Sequence, residues 1–255
     1  MAYQGKKTNK SVSVLNKLLT RFYTSVSKSV RDYKISRSSK NFFKIKKGFY
    51  VKIKLMVKTN MYYEDNQDLS HDFQTLTVEL LGQSMRFKTD RGVFSKNGID
   101  YGSRVLLENY QPESAKSLLD VGCGYGTLGL TLAKKFDLDV TMVDVNSRAL
   151  DLCRQNAIDN AVSNSKIELS NIYESVSEKY DAIISNPPIR AGKEVVHEIL
   201  AGAFGHLNDG GHLTIVIQKK QGAPSAQKKM EEVFGNCQLV ARDKGYFILR
   251  SYKNI

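Results

Sequence analysis

A mostly parallel, doubly wound α/β sheet of seven strands ending in an antiparallel hairpin is the fold that this 255-residue chain predicts, and three observations predict it. An apolar strand, a glycine-rich turn and an apolar helix follow one another without a break from Leu118 to Leu130. Strand and helix patterns then alternate, as parallel strands require, because every crossover must travel back across the sheet. Near the C-terminus the alternation stops. Runs around Leu239 and Phe247 are separated only by Arg242-Asp243-Lys244-Gly245, and so short a connection allows only an antiparallel pair.

Taken in order, residues 1–60 differ in character from the rest of the chain. They hold 16 of the 38 Lys and Arg but only one of the 26 acids, Asp32, which leaves residues 61–255 with 22 basic and 25 acidic side chains. The net charge of +12 thus belongs to the extension, and any anion-binding surface on the body is a local patch. Leu15, Leu18, Leu19, Phe22, Val26 and Val30 recur at helical spacing with Lys17 and Arg21 among them. A targeting peptide, a phosphate-binding arm and a solvated disordered tail all have this composition. A fourth reading is that translation starts at Met56 or Met61.

Residues 61–111 predict a small hairpin and helix ahead of the main sheet. Leu76, Val78 and Leu80 alternate before Gly82-Gln83, and Met85 and Phe87 continue the alternation. A turn-rich stretch from Gly92 to Ser103 leads into a helix with Val105, Leu106 and Leu107, and its N-cap is expected at Ser103.

Residues 112–255 carry the main sheet. Strands are expected at Leu118–Val121, Val140–Asp144, Ile167–Leu169, Tyr180–Ser185 and Leu213–Ile217, the last apolar throughout as in a strand buried on both faces. Between them, Ala149, Leu152 and Cys153 mark one helix face and Val195, Val196, Ile199, Leu200, Ala203 and Leu207 another. Met230, Val233 and Phe234 mark a third helix before the closing hairpin.

Cys123, Cys153 and Cys237 form no C-x-x-C pair or even framework, which fits reduced, buried thiols in a cytoplasmic protein. No apolar run approaches the roughly 18 residues of a membrane span. Neither membrane nor metal is expected as a partner.

The glycine loop can be framed in two ways. Gly124-Tyr125-Gly126-Thr127-Leu128-Gly129 satisfies the dinucleotide pattern G-x-G-x-x-G, with Asp144 at the distance of a ribose-binding acid. In the other frame Asp120 at a strand end precedes Gly122, Gly124 and Gly126, which resembles the S-adenosylmethionine loop of class I methyltransferases. The closing hairpin and the lack of a separate substrate domain favour the second frame over a nicotinamide oxidoreductase.

Ligands of open α/β sheets gather at the carboxyl ends of the strands, and Asp120, Asp144, Asn171 and Asn186 all fall at or just after predicted strand ends. Asp144 offers two oxygens to a vicinal ribose diol. Asn186-Pro187-Pro188 joins an extended backbone to two residues without N–H groups, which leaves rigid carbonyls. Acceptors at the Asn186 side chain and the Pro187 carbonyl would draw the hydrogens of an aromatic amine out of the ring plane and localise its lone pair for attack on a methyl sulfonium.

From about Met61 onward the chain resembles the small-domain methyltransferases related to ribosomal RNA small subunit methyltransferase C. The carrying segments are Gly92-Val93-Phe94-Ser95 through Asp100-Tyr101-Gly102-Ser103, Asp120 through Gly129, Val143-Asp144-Val145-Asn146, and Ser185-Asn186-Pro187-Pro188-Ile189-Arg190. The resemblance implies a class I, Rossmann-like fold, S-adenosylmethionine as cofactor and methylation of a guanine 2-amino group in 16S ribosomal RNA or the small ribosomal subunit. It departs in two places. Asn171 stands where an acid usually binds the adenine amino group, and Ile189 follows Asn-Pro-Pro where many members have an aromatic, so stacking on the target base falls to Phe94. Arg190 is the candidate for a flanking phosphate. Methylation of a protein glutamine amide, which uses the same Asn-Pro-Pro chemistry, and a cofactor-binding assembly factor without turnover are the alternatives.

Overall fold

A computed structural model describes residues 69–254 and, for the backbone alone, residues 43–45 and 49–51. The chain divides into two compact units, residues 1–57 and 58–255. In the first, strands Phe43–Ile45 (β1) and Phe49–Val51 (β2) pair antiparallel, with Phe43 opposite Val51. The amphipathic helix expected around Leu15–Val30 lies outside the described residues.

Among the described residues of the second unit the first elements are an antiparallel hairpin, β3 (Gln74–Leu80) and β4 (Gln83–Thr89). Leu81 and Gly82 join the strands with φ of 52° and 72°, the paired left-handed residues that suit the twist of a two-residue hairpin turn. Helix α1 (Tyr101–Asn109) follows. Then come β5 (Ser117–Val121), α2 (Thr127–Phe136), β6 (Asp139–Asp144), α3 (Ser147–Asp159), β7 (Ser165–Leu169) and β8 (Tyr180–Ser185). The chain closes with α4 (Lys193–His206), β9 (Leu207–Gln218), α5 (Ala223–Phe234), β10 (Gln238–Asp243) and β11 (Tyr246–Tyr252). Leu207, expected on the face of α4, has extended backbone and opens β9, which therefore starts well before Leu213.

Seven strands form one sheet in the order β10-β11-β9-β8-β5-β6-β7. The pairs from β9 across to β7 are parallel, and β11 runs antiparallel to both of its neighbours. The expected closing hairpin is therefore present, although only β11 is reversed, since β10 turns back into the direction of the rest. Its turn is tighter than the four residues read from the sequence: Lys244 and Gly245 alone have positive φ, 43° and 84°.

Side chains alternate across the sheet. In β5, Leu118 packs with Leu106, Leu130, Met142 and Cys153 on one face, while Leu119 packs with Ile183, Leu200, Met230 and Leu249 on the other. With both faces covered, the central strands have no solvent side, which accounts for their unbroken apolar runs.

Two asparagines fix the N-terminal hairpin to this core. Asn156 Oδ1 accepts from the Lys88 N–H at 2.7 Å, and its Nδ2 donates to the Lys88 carbonyl at 3.1 Å and to the Tyr125 carbonyl of the glycine loop at 2.9 Å. One helical turn later Asn160 treats Arg86 in the same way, accepting at 2.9 Å and donating at 2.7 Å. The i, i+4 spacing puts both amides on one face of α3, where they take the place of a third strand on the edge of β4.

Candidate active site

Strand order reverses between β5 and β8, and a cavity of about 270 Å³ opens there at the carboxyl ends of β5, β6 and β8. Gly122, Cys123 and Gly124 form one wall, Asp144, Ser170 and Asn171 another, and Asn186, Pro187 and Pro188 a third. Gly122 and Gly124 have φ of 76° and 56°, and a Cβ on either would meet nothing within 4 Å, so the bare backbone faces open space. Cys123 is buried and burial holds its thiol well above the ordinary value, which makes it a small packing residue and a poor nucleophile.

Asp144 is anchored through both oxygens. Oδ2 accepts from the Gly124 N–H and Oδ1 from the Asn146 N–H, each at 2.8 Å, and a carboxylate so held retains acceptor capacity for a ligand. Burial raises its carboxyl above the ordinary range, and the N–H groups of Asn146, Gly124 and Val145 act in the opposite direction. Asn171 Nδ2 donates to Glu174 at 2.9 Å, which turns the side-chain oxygen into the acceptor available to a ligand amine.

Two of the residues expected at the cofactor lie behind the cavity wall. Asp120 shares the Leu118 face of β5, is fully buried, and accepts from the Gly129 N–H in the first turn of α2 at 2.9 Å, while its Oδ1 has no partner among the described residues. Burial pushes its carboxyl up to about 7; the Gly129 N–H opposes this and the Asp144 charge adds to it. Gly126, the left-handed N-cap of α2, presses against Cys153 Sγ and Leu130, each 2.7 Å from where a Cβ would stand. Both residues shape the loop from beneath.

A second cavity, of about 350 Å³, adjoins the first. Ile189, Arg190, Gln218, Gln221 and Tyr246 line it, and Phe94, Ser95, Asp100, Asn186 and Pro187 line both cavities. Two compartments meeting at a shared wall fit a reaction between two bound molecules.

At that wall the sequence reading needs correction. The N-cap of α1 is Asp100, whose Oδ2 accepts from the Ser103 N–H at 3.0 Å, so the helix begins at Tyr101 and Ser103 lies in its first turn. Ser103 Oγ is thereby freed to accept, at 2.9 Å, from Asn186 Nδ2, which also donates to Asp100 Oδ2 at 2.9 Å. A carboxylate can only accept, so the Asn186 amide has one orientation and its oxygen is turned away from Asp100. Gly102 is required for this packing: a Cβ there would stand 2.9 Å from the Tyr246 ring and 3.0 Å from Asp100 Oδ2. Asp100, Tyr246, Gln218 and Gln221 were not legible as site residues. The spacing Asp-x-x-Ser signals a cap, but no local pattern announces a partner 86 positions away.

The sheet order, the glycine loop and the strand-end acid fit S-adenosylmethionine: bare backbone could receive its amino-acid end, Asp144 would face the ribose diol and Asn171 would offer its oxygen to the adenine amine. Together they define a class I S-adenosylmethionine-dependent methyltransferase. Within that class the chain belongs to the methyltransferase small domain family, whose model matches residues 84–250.

The uncharacterized Bacillus subtilis protein YbxB is 44% identical over 196 residues, covering 75% of this chain and 98% of that protein. Ribosomal RNA small subunit methyltransferase C of Klebsiella pneumoniae is 33% identical over 173 residues, 66% of this chain. The match takes in only 49% of that relative, so the chain spans about half its length. Among solved structures, a T. thermophilus 16S rRNA N2 methyltransferase in complex with AdoMet and guanosine superposes with a TM-score of 0.65 at 25% identity. It covers 73% of this chain and 52% of its own. Among the described residues no helix is long and apolar enough to cross a membrane, and no group of three or more His, Cys, Asp or Glu could hold a metal ion.

Proposed function

We propose that this protein transfers a methyl group from S-adenosylmethionine to the exocyclic 2-amino group of a guanine in 16S ribosomal RNA. The observation that carries the reading is the fixed amide of Asn186, whose Nδ2 is held by Asp100 and Ser103 on the wall common to both cavities. The bound cofactor supplies an activated methyl group on a sulfonium with a good leaving group. The chain supplies orientation and two acceptors. Asn186 Oδ1 and the Pro187 carbonyl would accept hydrogen bonds from the two amine hydrogens and bring the nitrogen lone pair out of conjugation. Their rigidity would spare reorganisation when charge develops, and the proton shed by the methylated nitrogen would pass to solvent. Phe94 and Ile189 flank the base, and Arg190 in the second cavity holds a neighbouring phosphate. The names of the ribosomal RNA relatives support the choice of RNA.

Mass spectrometry of nucleosides from 16S RNA, taken from cells with and without the gene and from RNA treated with purified protein and S-adenosylmethionine, tests the reading. We expect N2-methylguanosine to rise only where the protein is present. Unchanged RNA together with a methylated glutamine in a protein would replace this reading with the amide acceptor.

A further inference from the structure

We infer that Asp100 is the residue that selects guanine, by accepting a hydrogen bond from the ring N1–H beside the amine that Asn186 engages. The inference rests on the exocyclic-amine reading above and adds to it how the base is chosen. Asp100 lines both cavities, as Asn186 does. Oδ2 of Asp100 is fully engaged, taking the Ser103 N–H at 3.0 Å and Asn186 Nδ2 at 2.9 Å. Among the described residues Oδ1 receives no hydrogen bond, and it is not a buried orphan like Asp120 Oδ1. An accessible carboxylate oxygen therefore stands on the shared wall, next to the amide whose oxygen is the other open acceptor.

Two open acceptors, one on each residue of this hydrogen-bonded pair, match only one kind of base edge. Guanine presents adjacent donors, N1–H and the 2-amino group. Adenine and cytosine carry an amine beside an unprotonated ring nitrogen, so a carboxylate oxygen would face a lone pair. Uracil has a ring N–H but no amine to methylate. A site built to accept from N1–H rejects its analogue strongly, since the acceptor that the bound base covers is then left unpaired. Hydrogen bonding between Asp100 and Asn186 sets the two acceptors relative to each other, so base choice and amine activation share one rigid unit.

The experiment compares guanosine, 1-methylguanosine and 2-aminopurine riboside by calorimetry in the presence of S-adenosylhomocysteine. The two analogues keep the 2-amino group and lose the N1 hydrogen. Wild-type protein should bind guanosine about 10–100-fold more tightly than either, as expected for one charged hydrogen bond and its unpaired alternative. The informative variant is Asp100→Asn, because asparagine also caps helices, its oxygen can still serve Ser103 and Asn186, and only the open oxygen becomes a donor. In that variant the preference for guanosine over 2-aminopurine riboside should shrink at least about tenfold, with affinity for S-adenosylhomocysteine within a few fold. Any effect of the missing O6 is common to both proteins and cancels in the ratio.

An unchanged ratio in a variant that still binds S-adenosylhomocysteine overturns the inference. Should the variant not fold, wild-type protein that binds 1-methylguanosine as tightly as guanosine overturns it equally. The parent reading fails differently: wild-type protein that binds no nucleoside at millimolar concentration and methylates no guanine in RNA removes both.

Discussion

The two halves of the cleft are built on different principles. The cofactor half is mostly backbone from one continuous stretch, Val121 to Leu128, completed by the strand-end acid Asp144 that reaches back to the Gly124 N–H. The acceptor half is mostly side chains, drawn from Phe94–Ser103, Asn186–Arg190, Gln218–Gln221 and Tyr246. A backbone cradle needs a single local sequence and tolerates little change at its glycines. A side-chain pocket needs the whole sheet to assemble it, and it can be retuned one residue at a time.

Asn186→Ala should break the comparison most sharply. On the proposed chemistry it removes a preorganised acceptor from the reacting nitrogen, so single-turnover methylation should fall about 10²–10³-fold while cofactor affinity changes only a few fold. Near-normal turnover would reduce Asn-Pro-Pro to a structural turn. Asp144→Ala should do the reverse. On the reading that Asp144 takes the ribose diol, its loss should weaken cofactor binding by about 10–100-fold, as hydrogen bonds to a charged group imply. Equilibrium dialysis with S-adenosylmethionine on the two variants separates the halves directly, and equal losses of affinity would show that they are not independent.

Within the cofactor half, the glycines themselves divide. Gly124 and Gly126 both have positive φ, so alanine at either incurs a left-handed strain of about 1–2 kcal/mol. At Gly124 the new methyl meets nothing within 4 Å, whereas at Gly126 it strikes Cys153 Sγ and Leu130. Denaturant unfolding should therefore find Gly126→Ala less stable than Gly124→Ala by about 1–3 kcal/mol, the usual cost of overpacking. Equal stabilities would mean that α3 can move away from the loop.

The smallest effect concerns Asp120, the residue beneath the loop. Its carboxyl is raised from 3.8 to about 7, mainly by burial, against the Gly129 N–H and with a contribution from Asp144. Between these values the folded chain binds a proton that the unfolded chain has released, so Asp120 makes stability decline as pH rises from about 4 to about 7. Asp120→Asn removes the titration, and melting curves across that window should flatten by at most about 1.4 kcal/mol per pH unit. An identical slope in both proteins would show that Asp120 ionises in the folded state much as it does in the unfolded one.

Local pattern alone determined the fold class. Alternating strand and helix periods, the run through Leu118 and Leu119 that faces both layers, and the short link before Tyr246 leave one natural sheet, because burial on two faces and the reach of a turn are properties of neighbouring residues. The glycine loop and Asp144 were legible for the same reason: backbone conformation and strand ends are local. Tertiary structure alone decided the rest. Asp120 and Gly126 sit in the right motif, yet the strand face of one and the contact of the other with Cys153 turn them into supports. Asp100 and Ser103 look like the start of an ordinary helix. They became partners of Asn186 only when α1 was placed against the end of β8, and hydrogen bonds across 83 and 86 positions depend on that placement, which no periodicity encodes.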